Sequence, residues 1–366
     1  MRRPTAAAAP VVVKVGSSSL AHPDGGIDEV ALQRVIDQIL TLEAGGYRPI
    51  LVSSGAVAAG LPALGMTHRP RELADLQVAA AVGQGRLMER YAARFGAEGV
   101  VVGQVLLTRD ILANRSQYLH ARAAMMRMLT IGVVPIVNEN DTVVVDELKL
   151  GDNDRLAAMV SHLVGAGLLV LLTDTAGLFS DDPRIQHDAE LLSAVRHNDA
   201  VLDELYRRSG TGNLGSGGVA TKVAAARMAA WSGIPTVVAD ARDGDAVARA
   251  VAGEAVGTWI EPREGGLSAR KLWIAFGLPP NGRILVDAGA VGALIDAGRS
   301  LLPAGVVSIE GAFDAGNAVE IVGPGGDLVA KGLTAMAADT LRQVTGSHTS
   351  VAGGVVVHRD DLVVLR

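Results

Sequence analysis

The chain has 366 residues, of which 49% are hydrophobic, so it is long enough for two domains with substantial cores. Only 3% of the residues are aromatic, which favours α/β layers built from Ala, Val, Leu and Ile over a surface that stacks nucleic-acid bases. A formal net charge of −6 disfavours a protein made to bind polyanions. The absence of cysteine excludes disulfides, thiolate metal sites and a cysteine nucleophile.

The N-terminal residues resemble a secretion signal only superficially. Two arginines precede an apolar run, but Pro10 and Lys14 interrupt that run early. No run of 18 apolar residues follows, so no segment reads as a membrane-spanning helix. We therefore expect a soluble, cytoplasmic protein.

Apolar runs alternate with helical patterns through the first part of the chain, as a mostly parallel sheet requires. The predicted strands are residues 11–15, 49–52, 100–107, 133–137, 168–173 and 235–239. The predicted helices are residues 27–44, with Asp28 as cap, 73–95, 116–130, 156–164 and 220–231. We expect one α/β domain over residues 1–262.

The pattern changes after Pro262. Residues 263–275 are charged and contain glycine, which is typical of a linker that leads into a short helix. Short apolar runs follow at 283–286, 306–309, 318–322, 328–333 and 354–358, separated by glycine turns. This pattern predicts a small, mostly β barrel over residues 276–366.

An acidic segment follows the predicted strand 133–137. Residues 138–155 contain six acidic side chains and three asparagines. Carboxylates crowded in this way repel one another, so a folded chain holds them against a cation, an ammonium group or lysines. A solvated loop is the alternative. Because ligands of open α/β sheets lie beyond the carboxyl ends of the strands, the segment predicts a site.

Lys14 is a candidate phosphate ligand. It lies in the apolar run 11–15, where burial of its ammonium group is costly unless an anion pairs with it. The small residues that follow, 16–19, offer backbone N–H groups for phosphate oxygens, although no P-loop pattern is present. The alternative is a lysine on an edge strand whose side chain reaches water.

Two further strand ends carry small polar residues. Ser53, Ser54 and Gly55 allow a ligand to approach the backbone and offer hydroxyl and amide donors, but they also fit an ordinary turn. Thr173 and Asp174 suit a ribose, a base edge or a phosphate, and a turn capped by Asp174 is the alternative.

A glycine-rich loop precedes the last predicted helix of the first domain. Residues 210–218 contain five glycines and lead into a helix whose first turn carries Thr221 and Lys222. Such a loop is able to wrap phosphates, with the positive end of a helix behind it. A plain flexible loop is the alternative.

Five motifs occur in one order: KVGSS, SSGAV, the acidic segment ending GDND, TDTAGL and GSGGVATK. Together they resemble the amino-acid kinase family, and the C-terminal part resembles a PUA domain, so that the resemblance covers essentially the whole chain. It implies a three-layer α/β sandwich around a mostly parallel sheet, with a small PUA-like β barrel attached. Residues 216–219 read SGGV where the family often has TGGM, which bears on loop detail.

Within the family, the segment DELKLGDNDRLAAMV and the attached β domain are most similar to members that phosphorylate L-glutamate. The resemblance implies transfer of the γ-phosphoryl group of ATP to the side-chain carboxylate, which makes L-glutamyl 5-phosphate in the first step of proline biosynthesis. That carboxylate has a reference pKa of about 4.3 and is ionised at neutral pH, so no general base is needed. Alignment and charge neutralisation then supply the catalysis.

The resemblance also implies catalytic and nucleotide-binding residues. Lys14 and Lys222 would bind the transferring phosphoryl oxygens, and Asp154 would orient the two lysines. Mg2+ would bridge the ATP phosphates, and we expect no metal site made by the protein. The ATP-binding residues would be Lys14, Thr173, Asp174, Ser216, Gly217, Gly218, Val219, Ala220, Thr221 and Lys222.

The family pattern maps glutamate binding onto Ser54, Asp141 and Asn153. We interpret Asp141 as the acceptor for the α-ammonium group, with Ser54 and Asn153 donating to carboxylate oxygens. Asp146 and Glu147 either solvate a hairpin or form part of a site for proline, which the resemblance suggests as a feedback inhibitor. A homo-oligomer, dimer or tetramer, is also expected.

Two alternatives differ in substrate or in class. Kinases of the same fold act on aspartate, acetylglutamate, carbamate or uridylate, but a nucleotide acceptor calls for arginines, and acids dominate residues 138–155. A PUA-like part often binds RNA. Residues 270–366 contain 8 Lys and Arg against 9 Asp and Glu, so we expect no nucleic-acid partner.

Overall fold

The computed structural model describes residues 4–22, 25–108, 114–143, 153–209, 218–346 and 354–365. The chain forms two compact units, Met1–Gly266 and Leu267–Arg366. The division into residues 1–262, a linker 263–275 and residues 276–366 stays a prediction. Among the described residues, no helix is both long enough and apolar enough to span a bilayer.

One eight-stranded sheet forms the centre of the first unit. Its strands are β1 (Pro10–Val15), β2 (Arg48–Ser53), β3 (Val101–Leu107), β4 (Val133–Glu139), β5 (Leu168–Thr173), β6 (Ala194–Arg196), β7 (Thr236–Asp240) and β8 (Thr258–Glu261). They lie in the order β3-β4-β2-β1-β5-β7-β8-β6, and β7 and β8 form the antiparallel pair. The predicted mostly parallel sheet is confirmed. The short strands β6 and β8 were not predicted, because runs of three or four residues give too little periodicity.

Helices cover both faces of this sheet. They are α1 (Ser17–Leu20), α2 (Glu29–Ala44), α3 (Ala56–Gly60), α4 (Leu73–Ala97), α5 (Arg115–Thr130), α6 (Asn153–Val164), α7 (Ala200–Ser209), α8 (Val219–Trp231) and α9 (Ala246–Val251). Asp28 caps α2 as predicted, since its side chain accepts hydrogen bonds from the N–H groups of Val30 and Ala31. Helix α6 begins at Asn153, three residues before the predicted start.

The alternation of side chains along β1 separates the two faces. Val11, Val13 and Val15 are fully buried in the core that α2, α4 and α9 cover. Lys14 points to the opposite face, where it meets the first turn of α6. A single polar residue in this strand therefore places an ammonium group inside the opposite layer of the sandwich.

Helices α3 and α4 touch through their backbones at two glycines. A Cβ atom on Gly83 would lie 1.8 Å from the carbonyl oxygen of Ala56 and 2.5 Å from the nitrogen of Gly60. A Cβ atom on Gly60 would lie 2.0 Å from the carbonyl oxygen of Ala79. Because only hydrogen fits at these positions, α4 fixes the position of α3, which begins two residues after Ser54.

A five-stranded sheet dominates the second unit. The strands are β9 (Gly282–Val286), β10 (Val306–Gly311), β11 (Ala318–Val322), β12 (Leu328–Thr334) and β13 (Val357–Val364), in the order β10-β9-β11-β12-β13. The helices are α10 (Ala269–Leu272), α11 (Ala288–Ile295) and α12 (Ala338–Val344). The predicted mostly β character is confirmed, but the last strand lies at Val357–Val364 and not at 354–358.

The close contact of α3 and α4 predicts the effect of a methyl group at Gly83. Gly83→Ala should lower the free energy of unfolding by about 2 to 4 kcal/mol, because the added carbon overlaps backbone atoms that have no room to move. Urea denaturation measures the change. Gly85→Ala on the same helix is the matched control: its Cβ atom would meet nothing within 4 Å, so this variant should gain about 0.5 to 1 kcal/mol. Equal effects of the two substitutions would contradict the contact.

Candidate active site

Three buried charged side chains meet at the carboxyl end of β1. The ammonium nitrogen of Lys14 lies 2.6 Å from Oδ1 of Asp154, and that of Lys222 lies 3.5 Å from Oδ2. The hydroxyl group of Thr221 donates to the same Oδ2 atom at 2.7 Å. Lys14 and Asp154 are 2% and 1% exposed, so this carboxylate interacts with ammonium groups and a hydroxyl in place of bulk water.

Three separate elements supply these groups. Lys14 is the penultimate residue of β1, Asp154 lies in the first turn of α6, and Thr221 and Lys222 lie in the first turn of α8. First turns present N–H groups without intrahelical partners, and the helix dipoles add positive potential there. Two ammonium groups against one carboxylate leave a net positive charge, which suits an anionic group such as a phosphoryl.

The electrostatics of the cluster keep Asp154 ionised. Burial alone would raise the pKa of Asp154, but the charges of Lys14 and Lys222, with hydrogen bonds from Lys14 and Thr221, lower it below its ordinary value. Burial lowers the pKa of Lys222, and the charge of Asp154 works against that effect while the charge of Lys14 adds to it. Asp154 therefore helps to keep Lys222 protonated beside a second ammonium group.

A cavity of about 380 Å³ lies beside this cluster. Asn153 lines it, while the next residue, Asp154, holds the lysines, so the two sites meet in one helical turn. Ser54 and Asp141 also line the cavity, which brings together all three residues predicted for the substrate. Their roles stay predictions.

Hydrogen bonds join the polar lining of the cavity. The side-chain amide of Asn153 donates to Oγ of Ser54 at 2.9 Å and to Oδ1 of Asn138 at 2.9 Å. Gly55, between Ser54 and α3, has a φ of 105°, a conformation that favours glycine. All three polar side chains are buried, so the cavity wall is a fixed array of donors and acceptors.

The cavity lining also carries three basic residues that the sequence did not indicate. Arg69, His22 and His68 lie along the wall, together with the predicted Asp141. Arg69 and His68 lie away from the predicted strand ends and have no motif around them. The segment between α3 and α4 brings Arg69 and His68 to the cavity, and no local sequence pattern predicts this path.

The predicted nucleotide residues lie partly inside the described chain. Thr173 is buried at the end of β5, and its hydroxyl donates to Oδ1 of Asp174 at 3.1 Å. The charge of Asp174 is close enough to Lys222 to raise the pKa of that lysine, although burial outweighs it. Gly218, Val219 and Ala220 lead into and begin α8. Ser216, Gly217, Asp146 and Glu147 lie outside the described residues.

The described residues do not offer a resident metal site. No group of three or more His, Cys, Asp and Glu side chains among them is arranged to hold an ion. Both carboxylate oxygens of Asp154 already face ammonium groups or a hydroxyl, which disfavours a cation there.

Comparison with known proteins gives the family. The model of the amino acid kinase family matches residues 9–240, and the model of the PUA domain matches residues 282–351. The chain belongs to the amino acid kinase family. The family and the PUA-like C-terminal part predicted from the motifs are both confirmed.

Several relatives within this family align over nearly their whole length. The glutamate 5-kinase of Burkholderia lata is 45% identical and that of Pelobacter propionicus 43% identical, each over 97% of both chains. The glutamate 5-kinase of Marinomonas sp. is 43% identical over 100% of both chains. A solved UMP kinase from Bacillus anthracis is 15% identical with a TM-score of 0.47. The alignment covers 72% of this chain and 98% of the UMP kinase chain.

The charge cluster predicts a catalytic role for Asp154. Asp154→Asn should lower kcat by about 100-fold or more, because the two ammonium groups lose their shared anion and repel each other. Steady-state kinetics measure the change. Asp203→Asn breaks a surface ion pair with Arg227 and should leave kcat unchanged. Full turnover in Asp154→Asn would exclude the role.

Proposed function

We propose that this chain transfers the γ-phosphoryl group of ATP to the side-chain carboxylate of L-glutamate. The product is L-glutamyl 5-phosphate, and the reaction is the first step of proline biosynthesis. The observation that carries the proposal is the position of a buried cluster of two lysines and one aspartate next to a cavity of about 380 Å³ that Ser54, Asp141 and Arg69 line. Full-length similarity to glutamate 5-kinases supports the choice of acceptor.

The geometry accounts for the chemistry without a general base. The acceptor carboxylate is ionised at neutral pH, since its reference pKa is about 4.3. The barrier then comes from bringing two anions together and from charge on the equatorial phosphoryl oxygens. Lys14 and Lys222 neutralise that charge from two sides, and Asp154 between them holds both in fixed positions. Burial of the cluster strengthens these interactions.

The cavity is complementary to a dipolar amino acid. Asp141 accepts from the α-ammonium group and the Ser54 hydroxyl donates toward a carboxylate oxygen. Asn153, predicted as a second donor, already directs its two N–H hydrogens at Ser54 and Asn138, so it contributes by orienting Ser54. Arg69 supplies the charge that an α-carboxylate requires. An acceptor that lacks either charged group therefore loses one of these pairings.

The nucleotide lies on the other side of the lysine cluster. Thr173, Asp174 and residues 216–222 bind ATP, with the first turn of α8 directed at its phosphates. Mg2+ bound with ATP would supply positive charge at the phosphate oxygens. We expect neither a nucleic-acid partner nor a membrane partner.

We also propose a cytoplasmic homo-oligomer, either a dimer or a tetramer. Apolar side chains are exposed on and beside the edge strand β3 and on α5, as expected of a surface between copies. These side chains are Val101, Leu106, Leu119 and Ile131. Light scattering that finds a monomer at micromolar concentration would reject this part.

An acceptor panel tests the proposed reaction. ADP release from Mg-ATP is measured with L-glutamate, L-aspartate, N-acetylglutamate, 4-aminobutyrate and uridylate, and hydroxylamine traps an acyl phosphate as its hydroxamate. We expect glutamate-dependent ADP with trapped hydroxamate. N-acetylglutamate lacks the ammonium group and 4-aminobutyrate lacks the α-carboxylate, so both should be poor acceptors. Activity with uridylate alone, without hydroxamate, would overturn the proposal.

The placement of Asp141 predicts a selective change in substrate affinity. Asp141→Ala should raise the KM for glutamate about tenfold or more, because the α-ammonium group loses a charge-assisted hydrogen bond. The KM for ATP, measured in the same assay, is the internal control and should change less than about twofold. An equal rise in both constants would contradict the assignment.

Inhibition by proline is the remaining expectation. Proline shares the α-ammonium and α-carboxylate chemistry that Asp141 and Arg69 recognise, which supports binding in or beside the cavity. Millimolar proline should therefore raise the apparent KM for glutamate. Turnover that is insensitive to proline at subsaturating glutamate would remove this part.

A further inference from the structure

One backbone donor fixes the orientation of two side-chain amides in the cavity wall. The N–H group of Glu139 donates to Oδ1 of Asn138 at 2.9 Å and to Oδ1 of Asn153 at 3.2 Å. Because a backbone N–H group donates and never accepts, both asparagines must turn their oxygens toward it. Their NH2 groups must then point elsewhere.

The directions of the two NH2 groups have different consequences. The NH2 group of Asn153 donates to Oγ of Ser54 at 2.9 Å, so the Ser54 oxygen acts as an acceptor there. The hydrogen of the Ser54 hydroxyl is then available to donate to a group in the cavity that Ser54 lines. The NH2 group of Asn138 donates to Oε1 of Gln84 at 2.7 Å. Gln84 is thus the far end of a chain of hydrogen bonds that ends at the Ser54 hydroxyl.

Gln84 lies on a well-fixed part of helix α4. It follows Gly83, where the backbones of α3 and α4 touch. Two turns farther along α4, the hydroxyl of Tyr91 lies 2.7 Å from Oγ of Ser53, and the Ser53 hydroxyl donates to the carbonyl of Ser54. The same helix therefore supports the Ser53–Ser54 segment at one point and Asn138 at another.

We propose that Gln84, which does not line the cavity, is a positioning residue for the acceptor substrate. Its side-chain oxygen holds Asn138 in the orientation that places Asn153 against Ser54 and directs the Ser54 hydroxyl at the substrate carboxylate. The inference rests on the proposed function, because it concerns how the same cavity binds glutamate. It adds a residue from α4 to a site otherwise built from strand ends, from α6 and from the segment before α4.

A double-mutant cycle tests this chain of hydrogen bonds. Gln84→Met keeps the length of the side chain and removes the acceptor oxygen, so the KM for glutamate should rise about five- to tenfold, the effect of losing one partly buried hydrogen bond. The KM for ATP should change less than about twofold. In the Ser54→Ala background, where the terminal hydroxyl is missing, Gln84→Met should raise the glutamate KM by less than about twofold further.

Controls separate positioning from stability. Gln77→Met places the same apolar side chain on α4 at a half-buried position about two turns earlier and should leave both constants unchanged. Melting temperatures of all variants are compared with that of the wild-type chain. If Gln84→Met does not fold, Gln84→Ser takes its place, because serine is too short to reach Asn138 yet remains polar.

Each outcome decides one question. The positioning role is overturned if Gln84→Met leaves the KM for glutamate unchanged. It is also overturned if Gln84→Met raises this KM by the same factor with and without the Ser54 hydroxyl. An equal rise in the KM for glutamate and ATP also overturns it. If the wild-type chain forms glutamyl hydroxamate and Gln84→Met has the same KM for glutamate as the wild type, this inference fails and the proposed function stands. If the wild-type chain forms none, the proposed function fails and the inference with it.

Discussion

The ion cluster of Lys14, Asp154 and Lys222 is the constraint on which the rest of the first unit depends. Each of these side chains is almost completely buried, and an unpaired charge in such a place would cost several kcal/mol. Pairing makes the burial tolerable only if β1, α6 and α8 bring their groups within a few ångströms of one another. The arrangement of these elements at the carboxyl end of the sheet is therefore tied to the charge balance of the cluster.

The cluster carries one positive charge in excess, and this excess suits the site to bind an anion. A neutral cluster would have little attraction for a phosphoryl group, and two unpaired lysines would repel each other and lose protons more readily. The lowered pKa of Lys222 shows that burial already works against its charge. Asp154 offsets this effect and leaves one ammonium charge uncompensated, so it stabilises the ionised lysines while preserving their attraction for an anion.

The sequence indicated the cluster better than the cavity beside it. Lys14 stood out because a lysine inside an apolar run has few explanations, and Asp154 and Lys222 lay in motifs. The start of α6 was placed too late, at residue 156, because Asn153 and Asp154 look like loop residues until their buried partners are known. Tertiary partners from β1, β2 and α8 outweigh this local preference.

Arg69 and Gln84 could not be found in the same way. Gln84 occupies an ordinary position on an amphipathic helix, where a polar residue is expected to face water. Arg69 lies in a connecting segment without a periodic pattern. What makes either residue relevant is the packing of α3 on α4 at Gly60 and Gly83, a contact between backbones that leaves no sign except two glycines in helices.

The two halves of the site are attached to different parts of the fold. The groups suited to a phosphoryl come from β1 and α8, and those suited to the acceptor come from the ends of β2 and β4 and from the segment before α4. Asn153 and Asp154 are where the halves join, because consecutive residues of one helical turn face the cavity and the lysines. A change in the acceptor-binding segments that keeps their hydrogen bonds to Asn153 therefore leaves the lysine cluster intact. A change in the first turn of α6 has no such freedom, since any movement of Asn153 is transmitted through one peptide unit to the carboxylate between the lysines.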